Sequence, residues 1–364
     1  MPPPPPLPDS NTALTFTAPS TPPHLTHTPL PTPSPTQLLL RLHTAAINPV
    51  DIQLWASPLL GLLAGRREKG LGRDYAGTVA AVGAGLKGRW EEGERVFGLV
   101  NRPAGEGAFS RYLLVEPGKE PVARVPRAWT DVQAAAVPLV ALTAYACLAW
   151  LPPAVKAEEG ERKRRVVVAG ASGGVGGWVV QLAARAGCHV TGICSAANAA
   201  YVRGLGADEV LDYGAQDVVA ALQQRVEEAG QYDLYVDCVG GTQLFGCWTR
   251  VLSRKGAYVT IVGDKTGRTA LGGPVTYFTY PAQVARFVYG YFFGPRYANV
   301  LLLQQGELLE HVARLADEGG LQVVVQDVVE GILDEEEHGE AWEKVRGYME
   351  GGRVRGKIVV RIAD

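Results

Sequence analysis

Sulfur is scarce in this sequence, with only two methionines and five cysteines among 364 residues. The cysteines are Cys147, Cys188, Cys194, Cys238 and Cys247; none lies in the first 146 residues and no two form a CxxC pair. A disulfide framework or a zinc ribbon needs clustered cysteines, so both are excluded and the reduced thiols of a cytoplasmic protein are expected. Histidine is equally sparse, at six scattered positions. A charge surplus is missing too. Lys and Arg number 35 against 37 Asp and Glu, a net charge of −2, which excludes an electrostatic platform for nucleic acid. No uncharged apolar run reaches the roughly 20 residues that span a bilayer. The opening MPPPPPLPDS has neither the apolar core of a secretory signal nor the arginine-rich pattern of a mitochondrial presequence, and again cytoplasm is expected.

What is present suits two domains of ordinary size, with 47% hydrophobic and 20% charged residues. Thirteen of the 25 prolines fall in the first 35 residues. Residues 1–10 read as a flexible proline-rich tail. Short strands then alternate with glycine and proline: Leu14–Thr17, Gln37–Ile47, Tyr75–Gly83, Glu94–Val100 and Ala108–Glu116. That pattern predicts an antiparallel, barrel-like β domain.

From Asp131 the texture changes. Strands at Val166–Gly170, His189–Cys194, Glu209–Tyr213, Tyr232–Val239 and Ala257–Gly263 are separated by helical stretches, which predicts a doubly wound parallel sheet. Residues 275–303 are strongly aromatic and read as a pocket wall or dimer face before a membrane contact. The domains are therefore expected at 11–130 with 304–364, and at 131–303.

The strongest motif is VVVAGASGGVG, Val166 to Gly176. A buried strand runs into a glycine-rich turn and a helix opens at once. Small residues let backbone N–H groups approach a pyrophosphate, and the helix N-terminus favours the anion. The fingerprint is A-x-G-x-x-G over Ala171, Gly173 and Gly176. NAD-binding units usually place an acid about 20 residues further on, to accept from the ribose 2′-hydroxyl. Nineteen residues after Gly176 stands Ser195. A hydroxyl can donate to a 2′-phosphate that a carboxylate would repel, so NADPH is the expected cofactor; Ser195 can equally cap the next helix.

With these motifs assembled, the chain resembles a zinc-independent medium-chain dehydrogenase/reductase of the quinone oxidoreductase class, and within it the reticulon-interacting oxidoreductases and their fungal relatives. The likeness runs through AAINPVDIQLW, GRDYAGTVAAVG, VPLVALTAYACL, VVVAGASGGVG, LGADEVLDY, YDLYVDCVGG and RVRGKIVVRI. It implies a GroES-like domain followed by a Rossmann cofactor domain, and a homodimer. By the same resemblance Ser172, Gly173, Gly174, Val175 and Gly176 would line the pyrophosphate, and Ser195 and Tyr213 the 2′-phosphate. Ile261, Gly263, Val300 and Leu302 would lie along the nicotinamide, with Arg353, Val354 and Arg355 closing over the cofactor. Relatives often carry a lysine after the second strand. Here the stretch is Ser195-Ala-Ala-Asn198, so phosphate affinity would rest on Arg203, Arg353 or Arg355.

Zinc-dependent relatives place a cysteine where this sequence has Asn48 and a GHE turn where it has Gly72-Arg73-Asp74, and the later cysteine is absent from Pro138–Thr143. No metal is expected, because four-coordinate zinc needs soft or imidazole ligands converging on one point. Without a Lewis acid, alcohol oxidation loses the means of stabilising an alkoxide. Hydride delivery to a quinone or an α,β-unsaturated carbonyl remains. Asn48 would either supply an amide donor beside the reacting oxygen or cap the turn at Pro49. Asp51 reads as a structural acceptor, and Tyr75 and Thr143 as pocket members, Tyr75 on the catalytic side. An enoyl reductase with an aromatic tunnel, and a cofactor-binding interaction protein, are the alternatives.

Overall fold

The computed structural model describes residues 6–153, 163–265, 267, 269–270, 272, 275–302 and 305–363. Half of the expected tail, residues 154–162 and the expected boundary at 303–304 lie outside the described residues. The chain forms two compact units: Met1–Leu142 with Gln304–Asp364, and Thr143–Gly267 with Leu271–Leu303; residues 268–270 group with the first.

The first unit begins with β1 (Ser10–Phe16), β2 (His24–Pro29), β3 (Leu38–Ile47), β4 (Lys69–Gly70), β5 (Asp74–Val82), β6 (Arg95–Leu99), β7 (Tyr112–Val115) and β8 (Val122–Arg124). Strand β1 starts inside the stretch read as tail. The expected division at 130/131 lies at Leu142/Thr143. The helix Asp131–Ala135 is tied to the β domain: Thr44 donates to the Asp131 carbonyl at 2.9 Å, and the Asp131 carboxylate binds His43 and Arg95, each at 2.6 Å.

The second unit holds β9 (Arg165–Ala169), β10 (His189–Cys194), β11 (Glu209–Asp212), β12 (Tyr232–Asp237), β13 (Leu252–Thr260) and β14 (Arg296–Asn299). Every pairing is parallel, in the order β11-β10-β9-β12-β13-β14. Strand β9 is central and wholly buried, hence its unbroken apolar run. The chain leaves β9 towards β10 on one side and resumes at β12 on the other, so the switch point lies between β9 and β12. Tyr235, Tyr258 and Tyr297 occupy matched positions on β12, β13 and β14 and stack with centroids 4.9 and 5.7 Å apart. Strand β14 was not anticipated, because RYAN is buried within an aromatic run that has no period of two.

After the second unit the chain returns to the first with β15 (Val325–Val329) and β16 (Lys357–Arg361). They complete a seven-stranded sheet, whose main path is β15-β16-β3-β5-β6-β8 with β7 on β3; β2-β1-β4 form a separate sheet. β16 lies antiparallel to β3, with Ile358 opposite Ile47. This β domain and the doubly wound parallel sheet are the fold class expected.

Candidate functional site

The glycine turn lies at the carboxyl end of β9. Gly170 adopts φ +76°, and the helix Gly174–Arg185 opens behind Gly173 with no side chain capping it. By contrast, Asp217 caps the helix Val218–Ala229 through Val219 and Ala220. Among the described residues, the first turn of Gly174–Arg185 thus has no N-cap side chain to accept from its N–H groups, as an anion-binding terminus requires. The glycines divide the work. A Cβ on Gly176 would stand 2.1 Å from the Gly170 carbonyl oxygen, so Gly176 lets helix and strand pack closely. A Cβ on Gly173 would meet only that oxygen, at 3.4 Å, which leaves its outer side open.

At the neighbouring end of β10, Ser195 does not stand alone. The Asn198 amide donates to Ser172 Oγ at 3.2 Å and to Ser195 Oγ at 3.4 Å, gathering two hydroxyls and a carboxamide into one polar group. Cys194 is in register with Asp212, and the Tyr213 N–H bonds the Cys194 carbonyl at 3.3 Å, so Tyr213 follows beside Ser195. Its side chain is 63% exposed. Arg203 stands on the following helix, exposed. Asn198 escaped the sequence reading, although a carboxamide three residues after a strand-end serine is a turn signal.

Across the switch point, buried Asp237 ends β12. Its carboxylate accepts from the Val239 and Gly240 N–H groups at 3.0 and 2.8 Å and from Thr260 Oγ1 at 2.9 Å. Burial raises its pKa, and these donors oppose the shift. Thr260 Oγ1 in turn accepts from the Gly263 N–H at 2.9 Å, and the Val300 N–H bonds the Thr260 carbonyl at 2.9 Å. Asp237, a buried acid that sequence reasoning overlooked, thereby holds the backbone at Gly263 through Thr260, while the Ile261 N–H bonds the Asp237 main-chain carbonyl at 3.1 Å. Gly263, at φ +84°, has room for no Cβ, which would lie 2.5 Å from Thr276 Oγ1. Leu302 follows, half-buried, and Thr143 is buried in the helix Pro138–Leu148. All these residues belong to the second unit.

Asn48, Tyr75, Arg353, Val354 and Arg355 belong to the first. Arg353 and Arg355 are exposed ahead of β16, and Val354 packs on the β-domain core. Asn48, Asp74 and Lys357 are 1%, 0% and 6% exposed. Lys357 Nζ donates to Asn48 Oδ1 at 2.5 Å and to Asp74 Oδ2 at 3.0 Å, while Asn48 Nδ2 donates to the same Asp74 oxygen at 2.9 Å. Asp74 Oδ1 accepts from the Leu139 N–H at 2.8 Å. The Asn48 carboxamide oxygen and one of its two amide N–H groups are therefore engaged inside the cluster.

Asp51 accepts from the Asn48 N–H at 2.8 Å and faces Arg73 Nε at 3.4 Å. Burial pushes its carboxyl up to about 6 against the pull of the Arg73 guanidinium. Tyr75 follows Asp74 on β5 and, by strand alternation, faces the opposite side. It is 0% exposed in the apolar core, its hydroxyl has no hydrogen-bond partner among the described residues, and burial raises its pKa well above the usual value. Tyr75 is thus a core residue and not a pocket member.

Zinc does not suit these residues. The three positions offer a carboxamide, a guanidinium and one carboxylate already bound to an ammonium, and among the described residues no three His, Cys, Asp or Glu converge. No described helix is long and apolar enough to cross a membrane.

Known proteins share this architecture. Residues 34–127 match the alcohol dehydrogenase GroES-like domain family and residues 205–360 the zinc-binding dehydrogenase family. The trans-enoyl reductase pgmF of Aspergillus terreus is 32% identical over 346 residues, covering 91% of this chain and 87% of its own. The mitochondrial NAD(P)H oxidoreductase RTN4IP1 of Mus musculus is 30% identical over 347 residues, 90% and 82% of the two chains. A chloroplast envelope quinone oxidoreductase homolog of Arabidopsis thaliana is 30% identical over 332 residues, covering 91% and 92%. The solved quinone oxidoreductase of Coxiella burnetii shares the fold, with TM-score 0.75 and 22% identity over 97% of this chain and 99% of its own. The chain belongs to the medium-chain dehydrogenase/reductase family and is an oxidoreductase, related to the quinone oxidoreductases, the RTN4IP1 proteins and the fungal trans-enoyl reductases.

Proposed function

We propose that the protein reduces a quinone or an α,β-unsaturated carbonyl by hydride transfer from NADPH, without zinc. The observation that carries this reading is the Asn48–Asp74–Lys357 cluster. The Lys357 ammonium is bound to both Asn48 and Asp74, two residues at positions that match the cysteine and the GHE turn of zinc-dependent relatives, so these side chains are already committed to a fixed cation. Lacking a Lewis acid, the protein needs an acceptor that is already electrophilic. When bound, the nicotinamide supplies the hydride. Ile261, Gly263, Val300 and Leu302 would hold it in place through backbone fixed by Asp237 and Thr260, and Thr143 would border it.

NADPH is preferred over NADH because Ser172, Ser195 and Asn198 place hydroxyl and amide groups, with no carboxylate among them, where an NAD enzyme presents an acid. Gly173, Gly174, Val175 and Gly176 would take the pyrophosphate. Tyr213 would border the 2′-phosphate, with Arg203, Arg353 or Arg355 adding charge, and Val354 would lie between those two arginines. A homodimer in the cytoplasm completes the proposal. The printed name of the pgmF relative supports a second reading, reduction of an enoyl chain by the same chemistry.

Turnover with NADPH and NADH against quinones, enones, enoyl thioesters and primary alcohols tests these readings. Metal content is measured on the same sample. Quinone or enone reduction with NADPH and no stoichiometric zinc is expected. Zinc-dependent alcohol oxidation would overturn the proposal, and exclusive use of enoyl thioesters would select the second reading.

A further inference from the structure

One helix of the second unit is turned inside out. In Pro281–Phe293 the buried positions are Gln283 and Gly290, while Phe287, Tyr291, Phe292 and Phe293 are exposed. Phe278, in the preceding turn of helix, is 92% exposed. The inward face is held by polar contacts. Gln283 Oε1 accepts from Tyr297 Oη at 2.8 Å and from Asn299 Nδ2 at 2.7 Å, and Arg286 forks onto Asp264 at 2.7 and 2.8 Å. An ordinary surface helix does the reverse. Contiguous exposed aromatic surface of this kind marks an interaction site.

Charge indicates the partner. Residues 241–299 contain seven lysines and arginines and a single acid, Asp264, in a chain whose net charge is −2. Arg286 already occupies that acid. Four exposed cations lie on segments that adjoin the aromatic helix. Trp248 meets Tyr289 with centroids 6.1 Å apart, which brings Arg250 of the helix Trp248–Val251 alongside. Gly294, at the end of the aromatic helix, closes against Arg254, with Lys255 next in the chain. Arg296 opens β14 opposite Ala257.

We propose that this face is a peripheral docking surface for an anionic lipid bilayer. The rings enter the headgroup boundary, and the cations meet lipid phosphates and carboxylates. A second copy of the chain is the poorer occupant. To meet these cations a second copy would have to bring acids from outside residues 241–299, because Asp264, the single acid of that segment, is already paired with Arg286.

Sedimentation of the full-length protein with vesicles tests this, using phosphatidylcholine alone and a phosphatidylcholine–phosphatidylserine mixture. Binding to the mixed vesicles only, and its loss in about 1 M salt, is expected. Each membrane-proximal cation contributes about 1 kcal/mol, so Arg254→Glu with Lys255→Glu should lower partitioning at least about tenfold. Phe292→Ser with Phe293→Ser should do likewise while turnover of a water-soluble acceptor stays unchanged. Failure to sediment with either vesicle, or equal binding to both, overturns the proposal. Vesicle binding that is absent, together with a dimer dispersed by the phenylalanine variant, means that a second copy covers the face.

Discussion

The ammonium of Lys357 lies 2.5 Å from the carboxamide oxygen of Asn48, a residue 309 positions earlier in the chain. The same ammonium is the counter-ion of Asp74, which is fully buried. Breaking a buried ion pair from one side leaves an uncompensated charge and costs about 3–5 kcal/mol. Lys357→Met should therefore lower the stability measured by urea unfolding by roughly that amount. Adding Asp74→Asn should restore part of it. A Lys357→Met protein as stable as wild type would mean that the pair is not formed.

The cofactor reading is tested at Ser195. Ser195→Asp introduces an acceptor for a 2′-hydroxyl and repels a 2′-phosphate. A hydrogen bond to a charged group contributes about 1.5–3 kcal/mol, so NADPH affinity should fall at least about tenfold while NADH binds unchanged or better. Titration of both cofactors against wild type and variant decides this. Retained NADPH affinity in the variant would show that the phosphate is read elsewhere.

The two neighbouring glycines should separate folding from binding. Gly176→Ala forces a methyl to within 2.1 Å of a backbone oxygen and should yield little folded protein. Gly173→Ala adds a methyl in ordinary contact at 3.4 Å and should fold, with weaker cofactor binding. Circular dichroism and cofactor titration on both variants check the division.

Asp51 gives the stability curve a distinct pH signature. Its carboxyl is raised from 3.8 to about 6 in the folded chain, so between those values the native state binds more protons than the unfolded one. Stability from this group is complete below about pH 4 and is lost as pH rises through about 6. At 1.36 kcal/mol per unit, the loss is about 3 kcal/mol. Asp51→Asn should remove it. From pH 4 to pH 7 the variant should gain about that much relative to wild type in chemical unfolding.

Local signals made much of this legible. VVVAG before a glycine cluster identified β9 and its helix because strand, turn and helix opening are all written within a dozen residues. Ser195 was readable by spacing alone. The partners of Lys357 were not, since Asp74 and Asn48 lie 283 and 309 residues away. A lysine opening the buried strand KIVVR was the only hint. Strands β4 and β8 have two and three residues, too few to display alternation. Tyr75 was misplaced because proximity to Asp74 in sequence puts it on the opposite face of the strand.

The return of β16 to β3 also fixes an order of events on the ribosome. The Rossmann unit has all its strands by Asn299 and can fold as soon as they emerge. The β domain, although its first strand is made at Ser10, must wait for Lys357–Arg361. Until then Asp74 has no counter-ion and the Thr44–Ile47 half of the β3 edge is unpaired. A nascent chain stalled before residue 357 would thus carry a finished cofactor unit and an open, aggregation-prone β sheet, which makes this late interval the one in which a chaperone has most to protect.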